Sequence, residues 1–212
     1  MTNEEMSDLV QKYFQAEGYV FPGDFEHRVE SISSAMVYSL VRHYRPKNVL
    51  EVGSWHGGIT CILMTALQKN NQLFHFVCSE LADDNREKTR SNVLRACGQE
   101  PIMVGDITES LSLLPPSLDF VFIDTDHDEG TTNWIIDHIW PRITKNGIYG
   151  MHDWAVYEEG EKAIGKGNGG VGGWPEATYL INLHNEKKFP FQKLFWTYRN
   201  PGSEETGFWI HV

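Results

Sequence analysis

Ionisable side chains follow two apolar runs of the sequence, at the points where these runs end. They are Asp124 and His127 after Leu118–Ile123, and His152 and Asp153 after residues 147–151. If the two runs are neighbouring parallel strands, their carboxyl ends lie at one edge of a sheet, where such folds carry out their chemistry. Two close carboxylates repel each other, and a divalent cation is the simplest group that relieves the repulsion. The spacing therefore predicts a catalytic, metal-binding edge.

A glycine-bearing turn follows an earlier apolar run, residues 48–52. The turn and its approach contain Glu51, Gly53, Ser54, Trp55 and Gly57 in the pattern E-x-G-x-x-x-G. A nicotinamide or flavin site requires a glycine where Trp55 stands, because the backbone approaches the pyrophosphate closely there. The indole therefore disfavours a dinucleotide, and a tight turn with an acidic residue ahead of it remains.

Further acids follow the next two apolar runs. Glu80 lies 27 positions after Gly53, and its two acceptor oxygens suit the vicinal diol of a ribose. Its alternative role is that of an acid at a helix entry. Gly105, Asp106 and Ile107 form the next strand end, where Asp106 could accept a hydrogen bond from an exocyclic amine. The alternative for Asp106 is a helix N-cap, and both roles are compatible.

The elements that must position these residues alternate between short β-rich runs and helical periodicity. The predicted strands are residues 48–52, 73–79, 101–105, 118–123, 147–151, 192–198 and 207–212, and the helices between the first five are 57–67, 83–96 and 131–143. This alternation predicts parallel strands joined by crossover helices, and the short connection before residue 207 predicts an antiparallel hairpin. We expect a Rossmann-like α/β fold with seven strands in the order 3-2-1-4-5-7-6.

Two further segments complete the expected organisation. Residues 3–16 and 26–44 read as amphipathic helices that cover an edge or form a lid, so we divide the chain into residues 1–45 and a domain of 46–212. Residues 160–173 contain seven glycines and are expected to form a mobile loop beside the site.

The ordered motifs resemble those of class I S-adenosylmethionine-dependent methyltransferases, and more closely methyltransferase family 24 and its cephalosporin-hydroxylase-like branch. The resemblance extends over roughly residues 26–212 and includes the turn and the strand-end acids described above. It implies a donor site built from Glu51, Gly53, Ser54, Trp55, Gly57, Glu80, Gly105, Asp106, Ile107 and Asp124.

The same resemblance implies a metal-assisted reaction. Asp124 and Asp153 would bind Mg²⁺ or Mn²⁺, and His127 would be the general base. The family usually has a Glu-Asp pair after the fifth strand, whereas this chain has His152 before Asp153. His152 would bind a softer metal or lie outside the ligand set.

Composition limits the partners. The formal charge of −11 over 212 residues, with no basic stripe, argues against a nucleic acid partner. No apolar run approaches the ~20 residues that a membrane span requires. Three cysteines without metal-site spacing indicate reduced thiols, and we expect a cytoplasmic protein that could dimerise through its N-terminal helix.

The predicted function is methylation of a small hydroxylated substrate of sugar or natural-product type, because little of the chain remains for recognising a larger acceptor. Two alternatives stay open at this point. One is a protein of the same fold that binds S-adenosylmethionine without turnover, and the other is a metal-dependent oxidoreductase.

Overall fold

The computed structural model describes most of the predicted domain. It describes residues 1–19, 31–125, 129–152, 156–159, 162–165, 182–183, 186, 188, 190–196 and 206–211. The predicted base His127 and the predicted metal ligand Asp153 lie outside these residues. Among the described residues, no helix is long and apolar enough to cross a membrane.

Nine strands and five α-helices are present in the described part of the chain. The strands are β1 (Asn48–Val52), β2 (His75–Ser79), β3 (Ile102–Val104), β4 (Leu118–Ile123), β5 (Ile143–Met151), β6 (Val156–Glu159), β7 (Lys162–Gly165), β8 (Phe191–Trp196) and β9 (Gly207–His211). The helices are α1 (Asn3–Leu9), α2 (Ser31–Tyr44), α3 (Gly58–Lys69), α4 (Asp83–Cys97) and α5 (Glu129–His138).

The main sheet has seven strands in the order β3-β2-β1-β4-β5-β9-β8. Strand β2 pairs in parallel with both β1 and β3, whereas β9 is antiparallel to both β5 and β8. The sheet is therefore mostly parallel and ends in an antiparallel hairpin, which confirms the predicted Rossmann-like fold and strand order.

The described residues form two compact units, Met1–Val121 and Phe122–Val212, divided within β4. In the first unit, α1 begins with a capping box in which Glu5 N donates to Thr2 Oγ1 (3.1 Å) and Thr2 N donates to Glu5 Oε2 (2.6 Å). The chain continues as a π-helix, Val10–Gln15, although residues 3–16 were expected to form one regular helix. Hydrophobic periodicity alone does not distinguish these two helix types.

Helix α2 packs against α3 and against the π-helix. Its residues 33–41 are buried, and Val37, Tyr38, Leu40 and Val41 are fully inaccessible. Helix α3 is buried along most of its length, and four of the five residues of β1 are buried as well. This burial on both sides of the strand is typical of a parallel sheet covered by helices.

In the second unit, five of the six residues of β4 are buried, and the last five residues of β5 are buried too. Gly150 lies where two aromatic rings approach the backbone: a Cβ atom placed there would come within 2.8 Å of Phe208 Cε1 and 2.9 Å of Phe122 Cδ2. Glycine is therefore required at this position for the strand to pack against these rings.

Two expectations for this unit were wrong. The helix predicted over residues 131–143 ends at His138 and is followed by a 3₁₀ turn at Trp140–Arg142. The strand predicted over residues 147–151 therefore begins earlier, at Ile143. Pro141 stands in that turn, and proline cannot continue the hydrogen bonding of an α-helix. In addition, residues 162–165 do not belong to a loop, because β7 pairs antiparallel with β6 from Glu159↔Lys162 to Val156↔Gly165. Residues 166–173 of the expected loop lie outside the described residues.

Candidate active site

The turn after β1 has an unusual backbone. Gly53, Trp55 and Gly57 have φ angles of +86°, +50° and +89°, all in the left-handed region. Glycine adopts this region freely, whereas a residue with a side chain rarely does. The indole of Trp55 is 56% exposed and stacks on the imidazole of His56, with ring centroids 5.0 Å apart. The turn thus keeps a glycine-like conformation with a large aromatic residue at its centre.

The carboxylate of Glu80 is held against this turn by backbone amides. Its Oε2 atom accepts hydrogen bonds from the amides of Trp55 (2.7 Å) and Ser54 (3.2 Å), and Oε1 accepts one from the amide of Ala82 (3.1 Å). Ala82 is the N-cap residue of α4, so Glu80 does contact a helix entry. Each oxygen of an ionised carboxylate can accept two hydrogen bonds, so Oε1 keeps an acceptor position for a ligand hydroxyl.

Glu51 lies deeper in the same unit and is 1% exposed. Cys78, its register partner on β2, donates a hydrogen bond from Sγ to Glu51 Oε2 (3.3 Å). Burial, together with the nearby carboxylate of Glu51, raises the pKa of the Cys78 thiol well above its usual range. The thiol therefore stays protonated and acts as a donor to Glu51.

The end of β3 is arranged around Asp106. Its Oδ1 atom accepts hydrogen bonds from the amide (2.8 Å) and the hydroxyl (2.7 Å) of Thr108. Asp106 is thereby the N-cap residue of the 3₁₀ helix Ile107–Glu109. The hydroxyl of Ser79 donates to the carbonyl of Gly105 (2.7 Å) and fixes this turn to β2. The capping role expected for Asp106 is present, and its role toward an exocyclic amine stays a prediction.

In the second unit, Asp124 and His152 meet at the ends of β4 and β5. The amide of His152 donates to the carbonyl of Ile123 (2.9 Å), which extends the strand pairing to the site. The imidazole Nδ1 of His152 lies 3.3 Å from Asp124 Oδ1, and the side chains are 11% and 36% exposed. Of the residues expected at this edge, these two are described, and they are in contact.

Similarity to known proteins assigns the chain to a family. The model of methyltransferase family 24, described as a methyltransferase domain, matches residues 50–154, which contain both strand-end clusters. This chain belongs to the class I S-adenosylmethionine-dependent methyltransferases. None of the curated protein sequences matches it significantly.

Solved structures share the fold of this methyltransferase at low sequence identity. An O-methyltransferase from Bacillus cereus in complex with S-adenosylhomocysteine is 16% identical, with a TM-score of 0.65 over 99% of this chain and 92% of that one. TomG from Streptomyces achromogenes, an O-methyltransferase of tomaymycin synthesis in complex with S-adenosylmethionine, is 13% identical, with a TM-score of 0.64 over 100% and 92%. A Podospora anserina methyltransferase bound to S-adenosylhomocysteine is 15% identical, with a TM-score of 0.60 over 100% and 97%.

The metal that the resemblance implies needs a complete set of ligands. Within the described residues, no group of three or more His, Cys, Asp and Glu side chains could hold a metal ion. Asp124 and His152 supply one oxygen and one nitrogen donor, and these two atoms are in contact with each other. Two such donors do not form a divalent-cation site by themselves, since Mg²⁺ takes six ligands and prefers oxygen.

Helix α4 of the methyltransferase supplies contacts that the motifs did not predict. The hydroxyl of Thr89 donates to the carbonyl of Trp55 (2.9 Å), and Asn92 Nδ2 donates to the carbonyl of His56 (2.9 Å). Arg86 Nη1 donates to the carbonyl of Glu80 (2.8 Å) and lies 3.1 Å from where a Cβ of residue 105 would stand. A signal for Thr89 exists in the sequence, because with Val93 it forms the inner face of an otherwise polar helix.

Proposed function

We propose that this methyltransferase transfers the methyl group of S-adenosylmethionine to a hydroxyl group of a small substrate of sugar or natural-product type. The observation that carries the proposal is the carboxylate of Glu80, which backbone amides hold beside the turn after β1, because a carboxylate accepts hydrogen bonds from a ribose diol but repels a phosphate. S-adenosylmethionine has a ribose diol and no phosphate, and it fits such a site.

The donor contacts follow from the chemistry of each strand end. Glu80 would accept hydrogen bonds from the ribose hydroxyls, and Asp106 would accept one from the exocyclic amine of adenine. Glu51 would face the positively charged methionine end of the donor. These three acids lie within two residues of the ends of β1, β2 and β3, in the same unit.

Methyl transfer from a sulfonium is an in-line displacement, and a neutral hydroxyl is a poor nucleophile. The acceptor oxygen attacks the methyl carbon, the carbon–sulfur bond breaks toward sulfur, and a base takes the hydroxyl proton. The resemblance assigns this base to His127. The contact between His152 and Asp124 supports a second candidate, because a carboxylate 3.3 Å from Nδ1 stabilises the imidazolium that forms when the imidazole takes a proton.

O-methylation is supported by what is known of proteins with this fold. The Bacillus cereus and Streptomyces achromogenes structures are both described as O-methyltransferases.

Metal assistance is a separate part of the proposal. It depends on Asp153 completing the donor pair of Asp124 and His152. The test of metal assistance is to measure turnover in EDTA and again after addition of Mg²⁺ or Mn²⁺. Recovery of activity on addition of the metal supports metal assistance, and full activity in EDTA contradicts it.

Calorimetry with S-adenosylmethionine and with NAD tests the donor. Binding of S-adenosylmethionine and absence of NAD binding support the proposal, whereas the reverse would favour an oxidoreductase. Transfer of a radiolabelled methyl group to a panel of phenols, catechols and sugars then tests the acceptor. Donor binding without transfer to any hydroxyl compound would favour a protein that binds the donor without turnover.

The other expectations remain proposals. We infer a cytoplasmic enzyme without nucleic acid or membrane partners, consistent with the three free thiols and the acidic charge. Light scattering after size-exclusion chromatography measures whether it forms a homodimer.

A further inference from the structure

Trp55 holds a backbone conformation that its own side chain disfavours. Of the three left-handed residues in the turn, Gly53 and Gly57 have no Cβ atom, whereas Trp55 carries an indole at φ +50°. Contact between Cβ and the backbone makes this conformation unfavourable for residues other than glycine. Other contacts must therefore hold Trp55 in place.

Two hydrogen bonds hold the main chain of Trp55 from opposite sides. Its amide donates to Glu80 Oε2 (2.7 Å), and its carbonyl accepts from Thr89 Oγ1 (2.9 Å). The Thr89 hydroxyl also lies 3.0 Å from Ser54 Oγ. Because the Thr89 proton is directed to the carbonyl of Trp55, the Ser54 hydroxyl is the donor in that second contact.

The surroundings of Thr89 make this contact rigid. Thr89 is fully inaccessible, and Ser54 is 5% exposed. A Cβ atom at Gly57 would lie 3.1 Å from Thr89 Cγ2, so the missing side chain of Gly57 is what allows α4 to approach the turn. Asn92, on the same helix, holds the next carbonyl, that of His56 (2.9 Å).

We propose that Thr89 is a positioning residue for donor binding, whose hydroxyl keeps Trp55 in the left-handed conformation and so keeps its amide directed at Glu80. The inference rests on the proposed role of Glu80 in binding the donor. Without the Thr89 hydrogen bond, Trp55 relaxes toward an ordinary conformation, and the carboxylate of Glu80 loses its shortest backbone partner. Donor affinity then falls, although Thr89 itself does not contact the donor.

The test compares Thr89→Val, which removes the hydroxyl at nearly constant volume, with Thr89→Ser, which keeps it. S-adenosylhomocysteine is the probe, and its Kd is measured by calorimetry on the full chain. We expect Thr89→Val to raise the Kd about tenfold, because it removes the hydrogen bond that holds the Trp55 carbonyl, and Thr89→Ser to stay within about twofold of the wild type. Thr65→Val is the matched control, since it removes a hydroxyl that contacts Cys97 instead of the turn, and it should leave the Kd unchanged.

A second background separates positioning from a general loss of stability. In the variant Trp55→Gly, the turn does not need the hydrogen bond from Thr89, because glycine adopts the left-handed conformation freely. Adding Thr89→Val to this background should therefore raise the Kd less than threefold above that of Trp55→Gly alone. If Thr89→Val does not fold, as judged by circular dichroism, Thr89→Ala takes its place in both backgrounds.

Two results would overturn the inference. One is a wild-type Kd in folded Thr89→Val, and the other is the same loss of affinity in the Trp55→Gly background as in the wild type. Failure of the wild-type protein to bind S-adenosylhomocysteine would instead contradict the proposed function, so the two failures are distinguishable.

Discussion

The imidazole Nδ1 of His152 lies 3.3 Å from Oδ1 of Asp124, and the residues stand directly after β5 and β4. The family that the chain resembles usually has an acidic residue at the position of His152. The resemblance also implies that Asp124 and Asp153 bind a metal. Here an imidazole stands beside the carboxylate, which is an arrangement that also serves proton transfer.

If His152 is the general base, His152→Gln lowers kcat by roughly 10² to 10⁴ at saturating donor, because the hydroxyl proton has no acceptor in the transition state. The Kd for S-adenosylhomocysteine should stay unchanged. His127→Ala is the matched variant, and the same loss in kcat there, with normal turnover in His152→Gln, would assign the base to His127. Unchanged turnover in both variants would contradict an imidazole base.

Glu80→Gln should raise the Kd for S-adenosylmethionine about ten- to a hundredfold, because hydrogen bonds to a charged acceptor are stronger than those to an amide. It should also lower the melting temperature, since the amides of Ser54 and Trp55 share Oε2 of Glu80. Glu109→Gln changes an exposed acid of the same unit and is the control. Wild-type donor affinity in Glu80→Gln would remove Glu80 from the donor site.

The sequence was sufficient to predict the main sheet because its strands are short apolar runs separated by helical periodicity. It was insufficient for the start of β5, where the exposed polar residues Lys145 and Asn146 interrupt the apolar pattern. It also missed β7, because glycine-rich composition outweighed the pairing of residues 162–165 with β6. Pairing depends on a partner strand, which local composition does not reveal.

For the candidate site, the strand-end positions of Glu80, Asp106 and Asp124 follow from topology and were predictable. The contact between Asp124 and His152 was not, because it depends on the relative placement of two strand ends. Neither was the hydrogen bond from Thr89 to Trp55, since the pattern that places Thr89 on the inner face of α4 does not show which group its hydroxyl contacts. The bulk of the Trp55 indole predicts an obstacle to close backbone approach, and the sequence does not reveal that its backbone is left-handed like that of the glycines beside it.

Gly150→Ala should lower the free energy of unfolding by about 1–3 kcal/mol, because the new methyl group would overlap with the rings of Phe208 and Phe122. Urea denaturation measures the change. Gly150 does not have a positive φ, so backbone strain does not contribute to this loss. Wild-type stability in Gly150→Ala would contradict the steric explanation.

Because of Glu17, the free energy of unfolding of the first unit should decrease at acidic pH. Partial burial alone would raise the pKa of its carboxyl, but hydrogen bonds from Arg42, Tyr38 and Lys69 outweigh this effect and lower the pKa from 4.5 to about 2. The depressed pKa means that the ionised form stabilises the folded state. This stabilisation is complete above about pH 4.5 and is lost as the pH falls toward 2.

We therefore expect Glu17→Gln to reduce the free energy of unfolding at pH 7 and to approach the wild-type value as the pH falls toward 2. Urea titrations at pH 7, 5 and 3 measure the difference between the two proteins. Glu87→Gln is the control, because Glu87 forms an exposed ion pair with Arg90 (3.4 Å), and such pairs contribute little to stability. A difference between Glu17→Gln and the wild type that stays constant with pH would mean that Glu17 stabilises the unit without its charge, because only a charge-dependent contribution disappears as the carboxylate is protonated.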